Sequence, residues 1–229
     1  MTEIDVLVIG GGQSGLAAAH AVKAAGGSPV VLEAGERPTG SWARYYDSLT
    51  LFSPAKYSEL RGLAFGGDPD RYPHRDEVVD YLARYATRID VDIRTHHRVK
   101  AVTADGDGFR VTTTRGEVFS ARSVVAATGG FGRPHRPSLP GLDRFSGSVV
   151  HVADYRRPHG YEGQRVVVVG AGNSAVQVAA ELATVARTTL ASRAPVKFSA
   201  QRPLGRDLHF WLTVTGVDIA PVGRLLPKH

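Results

Sequence analysis

Residues 4–33 read IDVLVIGGGQSGLAAAHAVKAAGGSPVVLE, and the order of their parts decides the fold. Ile4, Val6, Leu7, Val8 and Ile9 form a short apolar run of the kind that makes a parallel strand buried on both faces. Gly10, Gly12 and Gly15 follow, with Gln13 and Ser14 inside the turn. Gly10 permits the tight turn, Gly12 lets the backbone approach a pyrophosphate, and Gly15 lets the next helix pack close to the strand. The helix from Ser14 to Ala25 then points free N–H groups and the positive end of its dipole at the phosphates. Val30, Val31 and Leu32 make a second strand. Glu33 ends it 23 residues after Gly10, where a carboxylate can accept both hydroxyls of an adenosine ribose and repels a 2′-phosphate. Strand, glycine turn, helix, strand and acid together are a dinucleotide-binding βαβ unit. Taken alone, the unit leaves FAD and NAD as alternatives.

The rest of the composition fits this α/β reading. The chain has 229 residues, 42% of them hydrophobic, which is enough for one large domain or two small ones with a sizeable core. Its 26 glycines fall mostly in turns after apolar strands. There are no cysteines, which excludes disulfide staples, thiolate metal sites and chemistry through a redox-active cysteine pair; no metal site is expected. The net charge of +6 comes from scattered arginines and forms no clustered basic stripe, so a nucleic-acid partner is not expected. No apolar run approaches the ~20 residues of a membrane helix. With a strand expected from residue 4, no cleavable leader is expected, and the expected location is cytoplasmic.

Downstream of Glu33, the turn-rich segment 35–51 holds Gly40, Ser41 and Trp42. Trp42 reads either as a buried anchor or as an apolar wall beside an isoalloxazine ring that glycine allows to come close. Arg75 to Thr87 carries Val78, Val79, Leu82, Ala83 and Ala86 at helical spacing. Residues 91–121 alternate at period two around the turn 105–108, which predicts a small antiparallel sheet that includes Val91 and Ile93. The expected role of this sheet is structural, with Val99 lying where such folds often clamp an adenine through backbone groups as the alternative. Ser123 to Ala127 reads as a separate buried strand ending in Thr128 and Gly129, close to the dinucleotide. Pro134, Pro137 and Pro140 then stiffen a boundary between subdomains.

A second fingerprint follows. Arg165 to Val169 is apolar, and Gly170, Gly172, Asn173, Ser174 and Ala175 repeat the turn, with alanine at the third glycine position. A helix from Ser174 to Val185 and a strand from Thr188 to Ala191 complete the unit. Counting 23 residues from Gly170 lands on Arg193, as the same count from Gly10 lands on Glu33. An arginine preceded by Ser192 suits a 2′-phosphate, so the first unit fits FAD and the second NADPH. A plain surface arginine is the alternative.

With both fingerprints in hand, the chain resembles the class B flavin-dependent monooxygenases, a group of flavin-containing, Baeyer–Villiger and N-hydroxylating enzymes. The segment 145–155 matches that family's identifying pattern of Phe145, Gly147, His151 and the aromatic Tyr155. Gly40, Ser41 and Trp42 look like its turn near the flavin, and residues 49–54 and 201–207 look most like bacterial flavoproteins of the group. The resemblance implies two Rossmann-like three-layer units, the second inserted in the first, with a small antiparallel β-sheet. It implies an FAD domain over 1–140, a linker over 141–160 and an incomplete NADPH domain over 161–229. FAD would be held by Gly10, Gly12, Gln13, Ser14, Gly15, Glu33, Gly40, Ser41, Trp42, Val99, Thr128 and Gly129. NADPH would be held by Gly170, Gly172, Asn173, Ser174, Ala175, Ser192 and Arg193. The implied activity is transfer of one oxygen atom from O₂ to a small organic substrate through a C4a-hydroperoxyflavin. His151 is implied to organise the linker, and no side chain is identified as catalytic. A homodimer is compatible with the resemblance. NADPH oxidation without substrate oxygenation, and nucleotide binding with little catalysis, are the alternatives. The family also implies a return to the FAD domain, whereas the sequence ends about 60 residues past Gly170, so it is expected to be truncated relative to its family.

Overall fold

The computed structural model describes residues 4–219, which form two compact units. The first comprises the chain up to Thr50, Leu60–Ala64 and Pro73–His159; the second comprises Leu51–Glu59, Phe65–Tyr72 and the chain from Gly160.

In the first unit the sheet order is β3-β2-β1-β6-β5-β4. Its strands are β1 (Ile4–Ile9), β2 (Pro29–Leu32), β3 (Asp92–Arg94), β4 (Val99–Asp105), β5 (Gly108–Thr113) and β6 (Val118–Ala126). β1 runs parallel to both β2 and β6, and β2 parallel to β3. β4, β5 and β6 form an antiparallel meander. Two expectations are corrected here. The segment of Val91 and Ile93 is the parallel edge of the main sheet, and the apolar run at 123–126 is the second half of one nine-residue strand. β6 pairs with β5 through Val118–Ala121 and with β1 through Ala121–Ala126, so meander and parallel strands make one sheet. Leu7, Ile9, Leu32, Val111 and Ala121 form a buried cluster that runs from the parallel strands into the meander.

Helix α1 (Gln13–Ala24) packs on β1, β2 and β6 and buries Gly15, Leu16 and Ala19. Helix α2 (Arg75–Ile89) packs on α1. Its buried stripe of Val78, Val79, Tyr81, Leu82, Tyr85, Ala86 and Ile89 has the 3–4 residue spacing of one helix face. The helix starts in a capping box: the His74 ring accepts the Asp76 N–H, and the Glu77 carboxylate accepts the His74 N–H. It stops at Asp90, in the left-handed conformation at φ 49°. The buried tyrosines also pin the segment at 60–63: the Leu60 N–H donates to the Tyr81 hydroxyl, which donates to the Leu63 carbonyl, and Tyr85 donates to the Arg61 carbonyl.

In the second unit, β7 (Arg165–Val169) and β8 (Arg187–Ala191) are parallel, and helix α3 (Asn173–Leu182) packs on both. In β7 Val166 and Val168 are partly buried, and Val167 and Val169 on the other face are largely exposed. Helix α4 (Leu208–Thr215) is capped by Asp207 and ends at Gly216 with φ 69°. Among the described residues no helix is long and apolar enough to cross a membrane.

Candidate functional site: two glycine turns

The first turn is closed so tightly that only glycine fits at two of its positions. Gly10 has φ 107°, and a Cβ there would lie 2.3 Å from the Ala127 carbonyl oxygen; a Cβ on Gly15 would lie 1.8 Å from the carbonyl oxygen of Gly10. The Gly10 N–H donates to the Leu32 carbonyl at 2.8 Å, and the Ala127 N–H to the Ile9 carbonyl at 2.9 Å. β1 therefore delivers its turn to the ends of β2 and β6, where Thr128 and Gly129 follow. Gly129 has φ 74° and open space around it.

Gly12 caps α1 in extended conformation, and no side chain caps the helix. The first N–H groups of α1 are consequently free for an anion. Gly40 approaches from the next loop, with φ 59°, and a Cβ on it would lie 2.9 Å from the Gly12 Cα. The neighbouring Trp42 donates its indole N–H to the Gln13 side-chain oxygen at 2.5 Å, and Ser41 bonds Tyr45 at 2.9 Å. Gly12 and Gly40, and Gln13 and Trp42, are thus brought together, with Ser41 between Gly40 and Trp42 in the chain.

Glu33 is 7% exposed, and both carboxylate oxygens are held: Oε2 accepts the Gly11 N–H and Oε1 the Gly35 N–H, each at 2.6 Å. Each oxygen keeps a further lone pair for a hydroxyl donor. The N–H of Gly11 is therefore taken up by Glu33, a pairing that spacing alone does not reveal. Sequence reasoning also missed the segment 94–97, which runs beside Glu33 through bonds from the Glu33 N–H to the Arg94 carbonyl and from the His97 N–H to the Glu33 carbonyl. Val99 begins β4 two residues further on, and its side chain packs on the Leu7 cluster.

His151 lies in the first unit, where its Nδ1 accepts the Ala153 N–H at 3.1 Å. Tyr155, at the end of the same pattern, is buried against Tyr46, and the Asp47 N–H donates to the Arg156 carbonyl. A Cβ on Gly147 would lie 2.4 Å from the tip of the Phe145 ring, a largely exposed side chain that is free to turn aside.

The second turn, in the second unit, repeats the first in its essentials. Gly170 has φ 135° and donates its N–H to the Ala191 carbonyl at 2.9 Å, as Gly10 does to Leu32. Gly172 caps α3 with no side-chain cap and nothing near its would-be Cβ, while the Ala175 methyl sits 3.5 Å from where a Cβ on Gly170 would be. The register, however, is offset from the sequence count. Val169 pairs with Ala191 as Ile9 pairs with Leu32, so Ser192 occupies the place of Glu33 and Arg193 lies one residue beyond. The connection between the strands is one residue shorter in the second unit, and a fixed count of 23 overshoots by one. Ser192 donates to the Ala194 carbonyl at 2.6 Å; Arg193 is exposed and has no ion-pair or hydrogen-bond partner among the described residues.

The two glycine turns on parallel strands define a dinucleotide-binding oxidoreductase fold. The chain belongs to the pyridine nucleotide-disulphide oxidoreductase family, whose model matches residues 7–208. The absence of cysteine from these 229 residues means that the disulphide half of that description has no counterpart here. The chain is 36% identical over 216 residues to an uncharacterized CzcO-like oxidoreductase of Geobacillus kaustophilus, a match covering 93% of this chain and 61% of that protein. A solved flavin-containing monooxygenase from Stenotrophomonas maltophilia superposes with a TM-score of 0.87 at 38% identity, over 93% of this chain and 64% of that one. An oxidized steroid monooxygenase bound to NADP superposes with a TM-score of 0.67 at 29% identity, over 82% and 38%. The resemblance to flavin-dependent monooxygenases is therefore real in fold as well as in motif, and the chain spans about three fifths of the length of the curated relative it matches.

Proposed function

We propose that the protein is a flavin-dependent monooxygenase that binds FAD at the first glycine turn and NADPH at the second, and delivers one oxygen atom from O₂ to a small organic substrate. In this reading residues 1–140 serve FAD, 141–160 link, and 161–229 serve NADPH. The observation that carries it is the pairing of two like turns with unlike ends. The first ends on the buried, doubly held carboxylate of Glu33, and the second on Ser192 and the unpaired Arg193. A fixed carboxylate suits free ribose hydroxyls, and a hydroxyl beside a guanidinium suits a phosphate monoester.

The residues fit the groups they would hold. Gly12 and Gly40 leave no side chain between backbone and pyrophosphate, the uncapped start of α1 supplies N–H donors, and Glu33 supplies acceptors for the ribose. The uncapped start of α3 does the same for NADPH. Bound FAD would supply the redox chemistry, accepting two electrons from NADPH and passing them to O₂. The protein's own part is to hold both nucleotides at fixed positions and to keep Trp42 as an apolar wall by its bond to Gln13. Oxygenated product per NADPH consumed is the test. A ratio near one with at least one substrate supports the reading, and quantitative diversion to H₂O₂ with every substrate tried replaces it with an NADPH oxidase.

A further inference from the structure

The phrase at 201–209 is used by neither glycine turn, yet it builds the most heavily bonded carboxylate among the described residues. Asp207 is 8% exposed. Its Oδ2 accepts the Tyr72 hydroxyl and the Gln201 side-chain N–H, the latter at 3.0 Å; its Oδ1 accepts the His209 backbone N–H at 2.8 Å and contacts His209 Nδ1 at 2.9 Å. Burial alone would raise its carboxyl pKa, but the bonds from Tyr72, Gln201 and His209 outweigh burial and hold it well below the usual carboxylate range. An ionised carboxylate only accepts, so the contact puts a proton on Nδ1 and leaves Nε2 as the basic nitrogen of the neutral ring. Nε2 has no partner among the described residues, and the His209 side chain is 22% exposed. The imidazole stacks with Phe52 at 5.9 Å and 30° and with Tyr57 at 6.1 Å and 25°, and the Phe52 ring is 58% exposed.

A buried carboxylate with four donors is a costly way to cap an eight-residue helix, since an exposed cap would serve. Such an arrangement does fix an imidazole in one tautomer and one orientation, as the outer partners of working histidines do. We infer that His209 Nε2, with the exposed Phe52 ring beside it, is a binding site for a planar aromatic molecule carrying an O–H or N–H donor. The donor bonds to Nε2 while the aromatic ring lies against Phe52, and Asp207 acts as the positioning residue. The inference does not depend on the nucleotide reading, because none of its residues is among those assigned to FAD or NADPH.

The test uses the full chain, with ¹⁵N-labelled histidine observed by NMR at a pH where the measured ¹⁵N shifts of His209 report a neutral ring, and phenol as the probe. Anisole, the same ring with its O–H proton replaced by methyl, is the control. The expected result is a bare Nε2 and a protonated Nδ1 on His209, with a saturable shift of Nε2 by phenol at least tenfold larger than with anisole at equal concentration. His209→Phe should remove the responding Nε2 signal, which assigns that signal to His209. A protonated Nε2 with bare Nδ1 would overturn the inference, and so would equal or absent responses to the two probes. Both comparisons are made on the unsubstituted protein, so they hold even where a variant fails to fold.

Discussion

The Glu33 carboxylate accepts the backbone N–H of Gly11 at 2.6 Å and thereby ties the end of β2 to the glycine turn that follows β1. With its second bond, from the Gly35 N–H, it shapes the turn and keeps a further lone pair on each oxygen. Glu33→Gln keeps the size but turns an NH₂ group toward one of the two N–H donors. The expected loss is about 1–3 kcal/mol of stability, seen in urea unfolding, together with weaker FAD retention. Unchanged stability would remove the structural half of this role.

Gly15 and Gly12 should respond differently to the same methyl group. At Gly15 the new Cβ meets the Gly10 carbonyl oxygen at 1.8 Å, and both partners are backbone. Gly15→Ala should therefore cost about 3 kcal/mol or more. At Gly12, where φ is −81° and the nearest atom would be Gly40 Cα at 3.4 Å, Gly12→Ala should change stability by less than about 1 kcal/mol. Its methyl occupies the approach of the pyrophosphate, so FAD affinity should fall instead. Parallel unfolding curves and FAD titrations of the two variants separate these outcomes.

The offset register at the second turn makes its own prediction. Arg193→Ala should weaken NADPH binding by about 1–3 kcal/mol and leave NADH nearly unchanged. Ser192→Glu should reverse the preference toward NADH, because Ser192, not Arg193, stands where Glu33 stands in the first unit. Equal losses for both nucleotides in Arg193→Ala would contradict the phosphate role.

Asp207 should make the second unit sensitive to acid. In an unfolded chain an aspartate ionises with a pKa of about 4, whereas in the folded unit Asp207 stays ionised well below that. Folding thus favours the ionised form: the contribution is complete above about pH 4 and is lost as pH falls from there through the folded value. Asp207→Asn should cost on the order of 2–4 kcal/mol at pH 7, and the difference from the parent should shrink as the pH is lowered below about 4. Urea midpoints of both proteins across that range check the sign.

What was legible in the sequence was local. The run from Ile4 to Glu33 gave strand, turn, helix and strand nearly to the residue, because glycine positions and apolar periodicity act within one element. The three-residue strand β3 carried no information about direction, and its parallel pairing with β2 depends on a partner about 60 residues away. The turn at 105–108 announced the meander, but only long-range pairing shows that β6 serves two neighbours at once. At 201–209 the aspartate cap of α4 was not read from the sequence, and its bond to Tyr72 has no local mark, since that partner lies 135 positions away.

Anaerobic mixing of the FAD-reconstituted protein with NADPH tests the central claim most directly, since it requires both turns to bind the nucleotides assigned to them. The account predicts one FAD per chain, bleaching of its visible absorbance by NADPH, and a need for more NADPH in Arg193→Ala. A protein that FAD cannot reconstitute, or bound FAD that stays oxidised at saturating NADPH, would contradict it.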